Sequence, residues 1–240
     1  MNLAPLPPYR GLLAGVCLLL TLGSVRAESP AGHPRPNPER FAKKIAEFAA
    51  ENVESSPGHG GIIFTGSSSV FYWDLKKAFP DLPVVNHGFG GSVANDLVVN
   101  ADTLVLRYTP KVVVVYTGSN DLHAKLTPQE TLSDYTKFLS MVHESLPKAK
   151  VIVNSVKPAP IRLAEMPQVK ELNNLLEAWC KQQPWITWID ASAYLLGSDG
   201  QPIVALYRKD HLHLNDDGYA KWNAIVSPIL HKVWAEVSHE

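Results

Sequence analysis

Cysteine is almost missing from this sequence. Only two of its 240 residues are Cys, and one of them, Cys17, lies in an N-terminal apolar stretch read below as removable. Cys180 is then left without a partner for an internal disulfide, so the fold must rest on its core rather than on covalent staples. Its setting, LLEAWCKQQ, is a helical pattern in which a small apolar thiol packs, and a nucleophilic role is disfavoured. An excess of charge is missing too. Lys and Arg number 22 against 23 Asp and Glu, for a formal net charge of −1. That balance gives no reason to expect nucleic acid or an anionic membrane as partner. Phosphate-binding loops are also lacking. GFGGSV carries Val93 where a dinucleotide fingerprint needs its third glycine, and no GK[ST] loop occurs.

One long apolar run is present. After Arg10 comes GLLAGVCLLLTLGSV, and Val25-Arg26-Ala27 then ends in small-x-small form. This is the plan of a secretory signal, with cleavage expected after Ala27. At about 15 residues the run is short of the roughly 20 that cross a bilayer, which disfavours the rival reading, an uncleaved anchor. Cys17 follows Val16, not a small residue, so a lipid-modified cysteine is disfavoured as well. The expectation is a signal peptide over 1–27 and an exported chain, periplasmic or secreted, with no stable membrane insertion after cleavage. Residues 28–37 form a Pro-rich lead-in, and 38–240 form a single domain.

Five short apolar runs recur along that domain: GIIFTG (61–66), PVVNHGF (83–89), KVVVVYTG (111–118), KVIVNSV (150–156) and WITWID (185–190). Rich in Val and Ile and without polar alternation, they suit strands buried on both faces of a parallel sheet. Helix-like sequence separates them: VFYWDLKKAF, NDLVVNADTLVLRY, PQETLSDYTKFLSMVHESL and EMPQVKELNNLLEAWCKQQ. A further helix opens at Asn37-Pro38, with Phe41, Ile45 and Phe48 on one face. The last, NDDGYAKWNAIVSPILHKVWAEV, is expected to kink at Pro228. Strand alternating with helix predicts a three-layer α/β/α sandwich around a doubly wound sheet of about five parallel strands. Trp73, Trp185 and Trp188 read as core, and His87 and His123 as solvated loop histidines. Lys157-Pro158-Ala159-Pro160 reads as a proline-stiffened loop.

In such sheets, sites form beyond the carboxyl ends of the strands. Three unusual loops fall there: Gly66-Ser67-Ser68-Ser69, Gly88-Phe89-Gly90-Gly91-Ser92 and Gly118-Ser119-Asn120-Asp121. A fourth element, Asp210-His211-Leu212-His213, precedes the last helix. A serine hydrolase needs a hydroxyl, an imidazole to take its proton and a carboxylate to orient the imidazole. Asp210 and His213, three residues apart, suit the last two roles. Asp-His-x-His could instead hold a metal, but no HxH, HxxxH or CxxC partner is evident elsewhere. A plain polar loop capping the last helix through Asn215 would explain that residue alone.

Together GSSS, GFGGS, GSND and DHLH, in this order over roughly residues 60–225, resemble the SGNH (GDSL-type) hydrolases. The resemblance implies a flavodoxin-like sheet, ester hydrolysis through an acyl-enzyme, and no cofactor. Position by position it makes Ser68 the nucleophile and Asp210 and His213 the rest of the triad. The oxyanion hole falls to Ser68, Gly91 and Asn120, with no metal. Ser67 stands where the family carries Asp, and it and Ser69 read as turn and helix-start residues. Asp121 orients the Asn120 loop or satisfies a helix start. The substrate expected is a small or short-acyl ester, such as an acetyl ester of carbohydrate. A lysophospholipase or thioesterase of the same fold, or a non-catalytic envelope glycan-binding module, are the other readings.

Overall fold

The computed structural model describes Met1 and residues 32–239; the expected signal peptide and the start of the lead-in lie outside the described residues. Each apolar run becomes a strand: β1 Ile62–Gly66, β2 Val84–Gly88, β3 Val112–Tyr116, β4 Lys150–Asn154 and β5 Ile186–Ile189. They pair in parallel in the order β2-β1-β3-β4-β5. Between and around them lie α1 (Ala42–Ala49), α2 (Ser68–Phe71), α3 (Leu75–Ala78), α4 (Ala94–Val99), α5 (Ala101–Leu104), α6 (Ser119–His123), α7 (Pro128–Ser145), α8 (Met166–Cys180) and α9 (Asp216–Val237). The result is the three-layer α/β/α sandwich that the alternation predicts.

Successive side chains of a strand point to opposite faces, and both faces here are covered. Ile63, Val113, Val115, Val151 and Val153 pack with Leu97, Tyr135, Leu139, Leu172 and Leu176 from α4, α7 and α8. On the other face Ile62, Phe64, Val112, Val114 and Ile152 meet Trp73, Phe79, Trp222, Val226 and Leu230. Burying each such aliphatic side chain contributes about 1.5–3 kcal/mol, so the described residues rest on this core. Cys180 is buried in this core. Among the described residues no helix is long and apolar enough to cross a membrane.

Several local expectations need correction. VFYWDLKKAF is broken into α2 and α3, because Asp74 restarts the helix by accepting from Lys77 N–H. NDLVVNADTLVLRY is likewise broken at Asn100, whose side chain turns back to donate to the Asp96 carbonyl. Helix α9 runs through Pro228. The carbonyl of Ala224, which loses its donor to the proline ring, sits on the exposed face of the helix, where water can satisfy it. His87 is not solvated. It is fully buried, its Nδ1 donating to the Leu104 carbonyl at 2.6 Å and its ring tilted against Phe48 and Tyr108. Trp73 and Trp185 are core, whereas Trp188, on edge strand β5, is only partly buried.

The lead-in from His33 onward is pinned rather than loose. His33 bonds Glu130 through its backbone N–H and its ring, and Arg35 forks onto Asp134. Arg40 forks onto the fully buried Asp96 at 2.6 and 3.1 Å. These pairs lay the segment along α7 and α4, and bring Phe41 edge-on against Phe89 beside the glycine loop.

Candidate active site

The first block sits where β1 turns into α2. Gly66 has φ 137°, and a Cβ there would lie 1.8 Å from the Tyr116 carbonyl oxygen, so only glycine lets β1 close on β3 at this point. Ser67 follows as the residue capping α2, its carbonyl accepting from Val70 and Phe71. Ser67 and Ser69 are both buried, and Ser68 between them is half-buried. Of the three hydroxyls, Ser68's reaches the imidazole: its Oγ lies 2.9 Å from His213 Nε2.

That imidazole is held from the other side. Asp210 Oδ2 lies 2.7 Å from His213 Nδ1, while Oδ1 accepts from the backbone N–H groups of Leu212 and His213 at 2.9 and 3.0 Å. A carboxylate that accepts at Nδ1 requires the proton there, leaving Nε2 as a lone pair toward Ser68. Burial works to raise the Asp210 pKa, but the hydrogen bonds from the His213 ring and the two N–H groups outweigh it. They hold the carboxyl well below the usual carboxylate range. His211 turns through φ 55° and is exposed, apart from this relay. Asn215 caps α9 by accepting from Gly218 N–H, so the capping role and the relay coexist.

The donors expected around the serine come from three loops. Ser68 N–H, at the first residue of α2, has no acceptor among the described residues, and neither has Gly91 N–H. Gly91 has φ 82°, a left-handed conformation open to glycine, and a Cβ on neighbouring Gly90 would lie 4.0 Å from Ser68 Cβ. The glycine loop therefore faces the hydroxyl. Asn120 donates one amide hydrogen to the Ser92 carbonyl at 3.0 Å. Its second hydrogen has no acceptor among the described residues.

Sequence reasoning undervalued Asp121. Fully buried, it accepts from Ala94 N–H at 2.8 Å and so ties the Asn120 loop to the end of the glycine loop. Burial pushes its carboxyl up to about 7. Tyr72 and Arg162 were missed, and Lys157 was read only as part of a stiffened loop or pocket wall. Tyr72 stands edge-on to His213, ring centroids 4.9 Å apart, and carries Arg208 on its own face. Lys157 is buried and donates from Nζ to the Leu212 carbonyl, inside the relay turn. Arg162 reaches Ser119 and Asn120. A tyrosine soon after the strand-end turn and a lysine opening a proline loop were visible in sequence, but nothing local names their distant partners.

A half-buried hydroxyl hydrogen-bonded to an oriented imidazole, at the carboxyl edge of a doubly wound sheet, defines a serine hydrolase site in geometry. Residues 65–221 match the model of the GDSL-like lipase/acylhydrolase family. The chain belongs to that family, and it is an ester-hydrolysing enzyme. Solved structures agree on the fold. A GDSL-like lipase from Bacteroides thetaiotaomicron is 22% identical over 82% of this chain and 98% of its own, with a TM-score of 0.65. A carbohydrate esterase family 3 protein from Talaromyces cellulolyticus is 19% identical over 73% and 98%, TM-score 0.59. An acetylxylan esterase from Geobacillus stearothermophilus, solved as a catalytic mutant, is 16% identical over 73% and 95%, TM-score 0.56. Among curated proteins, none matches this chain.

Proposed function

We propose that the protein is an exported serine esterase that removes short acyl groups, with acetyl esters of carbohydrate as the favoured substrate class. The observation that carries the chemistry is the relay Asp210–His213–Ser68, with hydrogen bonds of 2.7 and 2.9 Å. Ser68 Oγ attacks the ester carbonyl while His213 Nε2 takes its proton. Asp210 stabilises the imidazolium and keeps its tautomer. Negative charge then grows on the carbonyl oxygen, and the free N–H groups of Ser68, Gly91 and Asn120 are the donors that receive it; each is worth roughly 3 kcal/mol. The imidazolium returns its proton to the departing alcohol oxygen, leaving an acyl ester on Ser68. Water, deprotonated by the same imidazole, attacks that ester and restores the serine.

Acetyl carbohydrate is supported by the carbohydrate esterase and acetylxylan esterase among the structural neighbours. Export is supported by the pattern of residues 1–27. A specific observation favours longer acyl chains as a second reading. Tyr72, edge-on to His213, its neighbour Phe71, and Ile161, whose N–H bonds the His211 carbonyl, are all at least 40% exposed, apolar surface beside the relay turn that a lysophospholipid or thioester tail would cover.

An ester panel on the purified chain separates the two: acetylated sugars, a p-nitrophenyl series of rising chain length, lysophospholipids and acyl thioesters, each beside Ser68→Ala. The expected result is fastest turnover of acetyl esters, lost in Ser68→Ala together with fluorophosphonate labelling. Turnover that survives Ser68→Ala removes the assignment, and rates that climb with chain length replace acetyl carbohydrate by the second reading.

A further inference from the structure

The Asn120 amide is gripped from both ends. Its nitrogen donates to the Ser92 carbonyl, which can only accept, and its oxygen accepts from Arg162 Nη1 at 3.2 Å, which can only donate. One amide orientation satisfies both. The same Nη1 also lies 2.9 Å from the Ser119 carbonyl and 2.9 Å from Ser119 Oγ, which fixes it against the first turn of α6. Arg162 is itself held in a kinked 3-10 segment, Pro160–Glu165, with φ −118° and its backbone N–H on the Ala159 carbonyl at 2.9 Å. The charge is partly buried and faces the oxygen end of an amide whose nitrogen end carries the free hydrogen.

Resting on the esterase reading above, we propose that Arg162 is a positioning residue for catalysis that acts through Asn120: it locks the amide orientation and polarises it, so that the free N–H presented to the developing oxyanion is a stronger donor. A cation at the amide oxygen draws electron density from nitrogen, and hydrogen bonds in such a chain reinforce one another where water is scarce. Because the charge on the substrate oxygen appears only in the transition state, the benefit falls on kcat rather than on substrate binding. The same segment donates Ile161 N–H to the His211 carbonyl at 3.1 Å. One stretch of chain thereby braces the donor side and the relay side together.

The test is a double-mutant cycle on the full chain with p-nitrophenyl acetate and a fluorophosphonate probe, using Arg162→Met, Asn120→Ala, the pair, and Arg162→Lys. Arg162→Met is expected to lower kcat and the labelling rate about tenfold with KM within about twofold, and Arg162→Lys to recover part of the loss. In the Asn120→Ala background, where the amide is gone, Arg162→Met should cost less than about twofold more. An equal cost in both backgrounds, or no cost in the parent, overturns the proposal; a loosened loop would give the former and would move KM as well. Should Arg162→Met fail to fold, Arg162→Lys runs the same cycle, with a loss required in the parent and none beside Asn120→Ala. Ser68→Ala separates the two readings: activity that survives it sinks the esterase assignment, whereas a dead Ser68→Ala beside an additive cycle sinks only the role of Arg162.

Discussion

Replacing Asp210 by Asn tests the relay most sharply, because the two side chains have the same shape and opposite hydrogen-bonding demands. Oδ1 accepts two backbone N–H groups and Oδ2 accepts the His213 Nδ1 proton. An amide can meet only half of this. With its oxygen kept toward the backbone, its NH2 faces Nδ1, and the ring must move its proton to Nε2. Nε2 then donates to Ser68 and cannot act as base. With its oxygen kept toward Nδ1, the NH2 meets two N–H donors and the turn is pushed open. The first orientation removes the base; the second keeps the tautomer but displaces the imidazole from Ser68. In a triad buried away from water, the wrong tautomer costs about 10⁴ in kcat; here the Asp210 side chain is 47% exposed, so water relieves part of the mismatch and a loss of roughly 10³ is expected, about 4 kcal/mol. Asp210→Ala should be milder, roughly tenfold better than Asn, since a water in the vacated space can accept from Nδ1 and keep the working tautomer. Steady-state turnover of p-nitrophenyl acetate, with ¹⁵N spectra of His213 to read the tautomer, measures both. An Asp210→Asn enzyme within tenfold of the parent would refute the relay.

Two further outcomes follow from buried geometry. Asp121 is held protonated toward about pH 7 by burial, while the unfolded carboxyl releases its proton near 4. The folded state binds the extra proton between those values, so this group's contribution to stability is full below pH 4 and declines as pH rises toward 7. Asp121→Asn should flatten that part of the melting-temperature curve relative to the parent, and parallel curves would contradict the assignment. Gly66→Ala puts a methyl 1.8 Å from the Tyr116 carbonyl at φ 137°. It should destabilise by more than about 4 kcal/mol, seen as loss of soluble protein or a collapsed urea midpoint, and a parent-like midpoint would contradict the reading of that turn.

What could be read from the amino acids alone was whatever is local. The central strands β1, β3 and β4 read as Val/Ile-rich runs because both faces of the sheet are covered there, whereas a strand with one wet face would alternate apolar with polar. Ser68, Asp210 and His213, which the structure brings together, stood out because four blocks follow in one order and spacing, where any one block alone says little; Gly91 and Asn120 entered through the resemblance. His87 was misread because its neighbours, HGFGG, look like an open loop; its burial comes from Phe48, Tyr108 and the Leu104 carbonyl, none of them near in sequence. The same distance hid Arg162, Lys157 and Tyr72. An arginine in a loop has many possible partners, and which one it takes is decided by how loops from different strands meet.

That meeting is itself hydrogen-bonded throughout, which bears on how the site works. The Gly66 carbonyl, one residue before the serine turn, accepts from Phe89 N–H at 2.9 Å and Ser92 Oγ at 3.1 Å. The Ser92 carbonyl holds the Asn120 amide, and Asp121 holds Ala94. Serine turn, glycine loop and asparagine loop are thus tied to one another. The relay turn is tied separately, by Lys157 to the Leu212 carbonyl, by Ile161 to His211, and by Arg208 N–H to the His213 carbonyl at 2.7 Å. Donors fixed in advance of charge development stabilise it without reorganising at the moment of reaction, and the bonds among the loops are what fix them. Ile161 joins that network through its backbone N–H alone, and its side chain, like that of Phe71, is exposed, so it can change while the bonds among the loops stay in place.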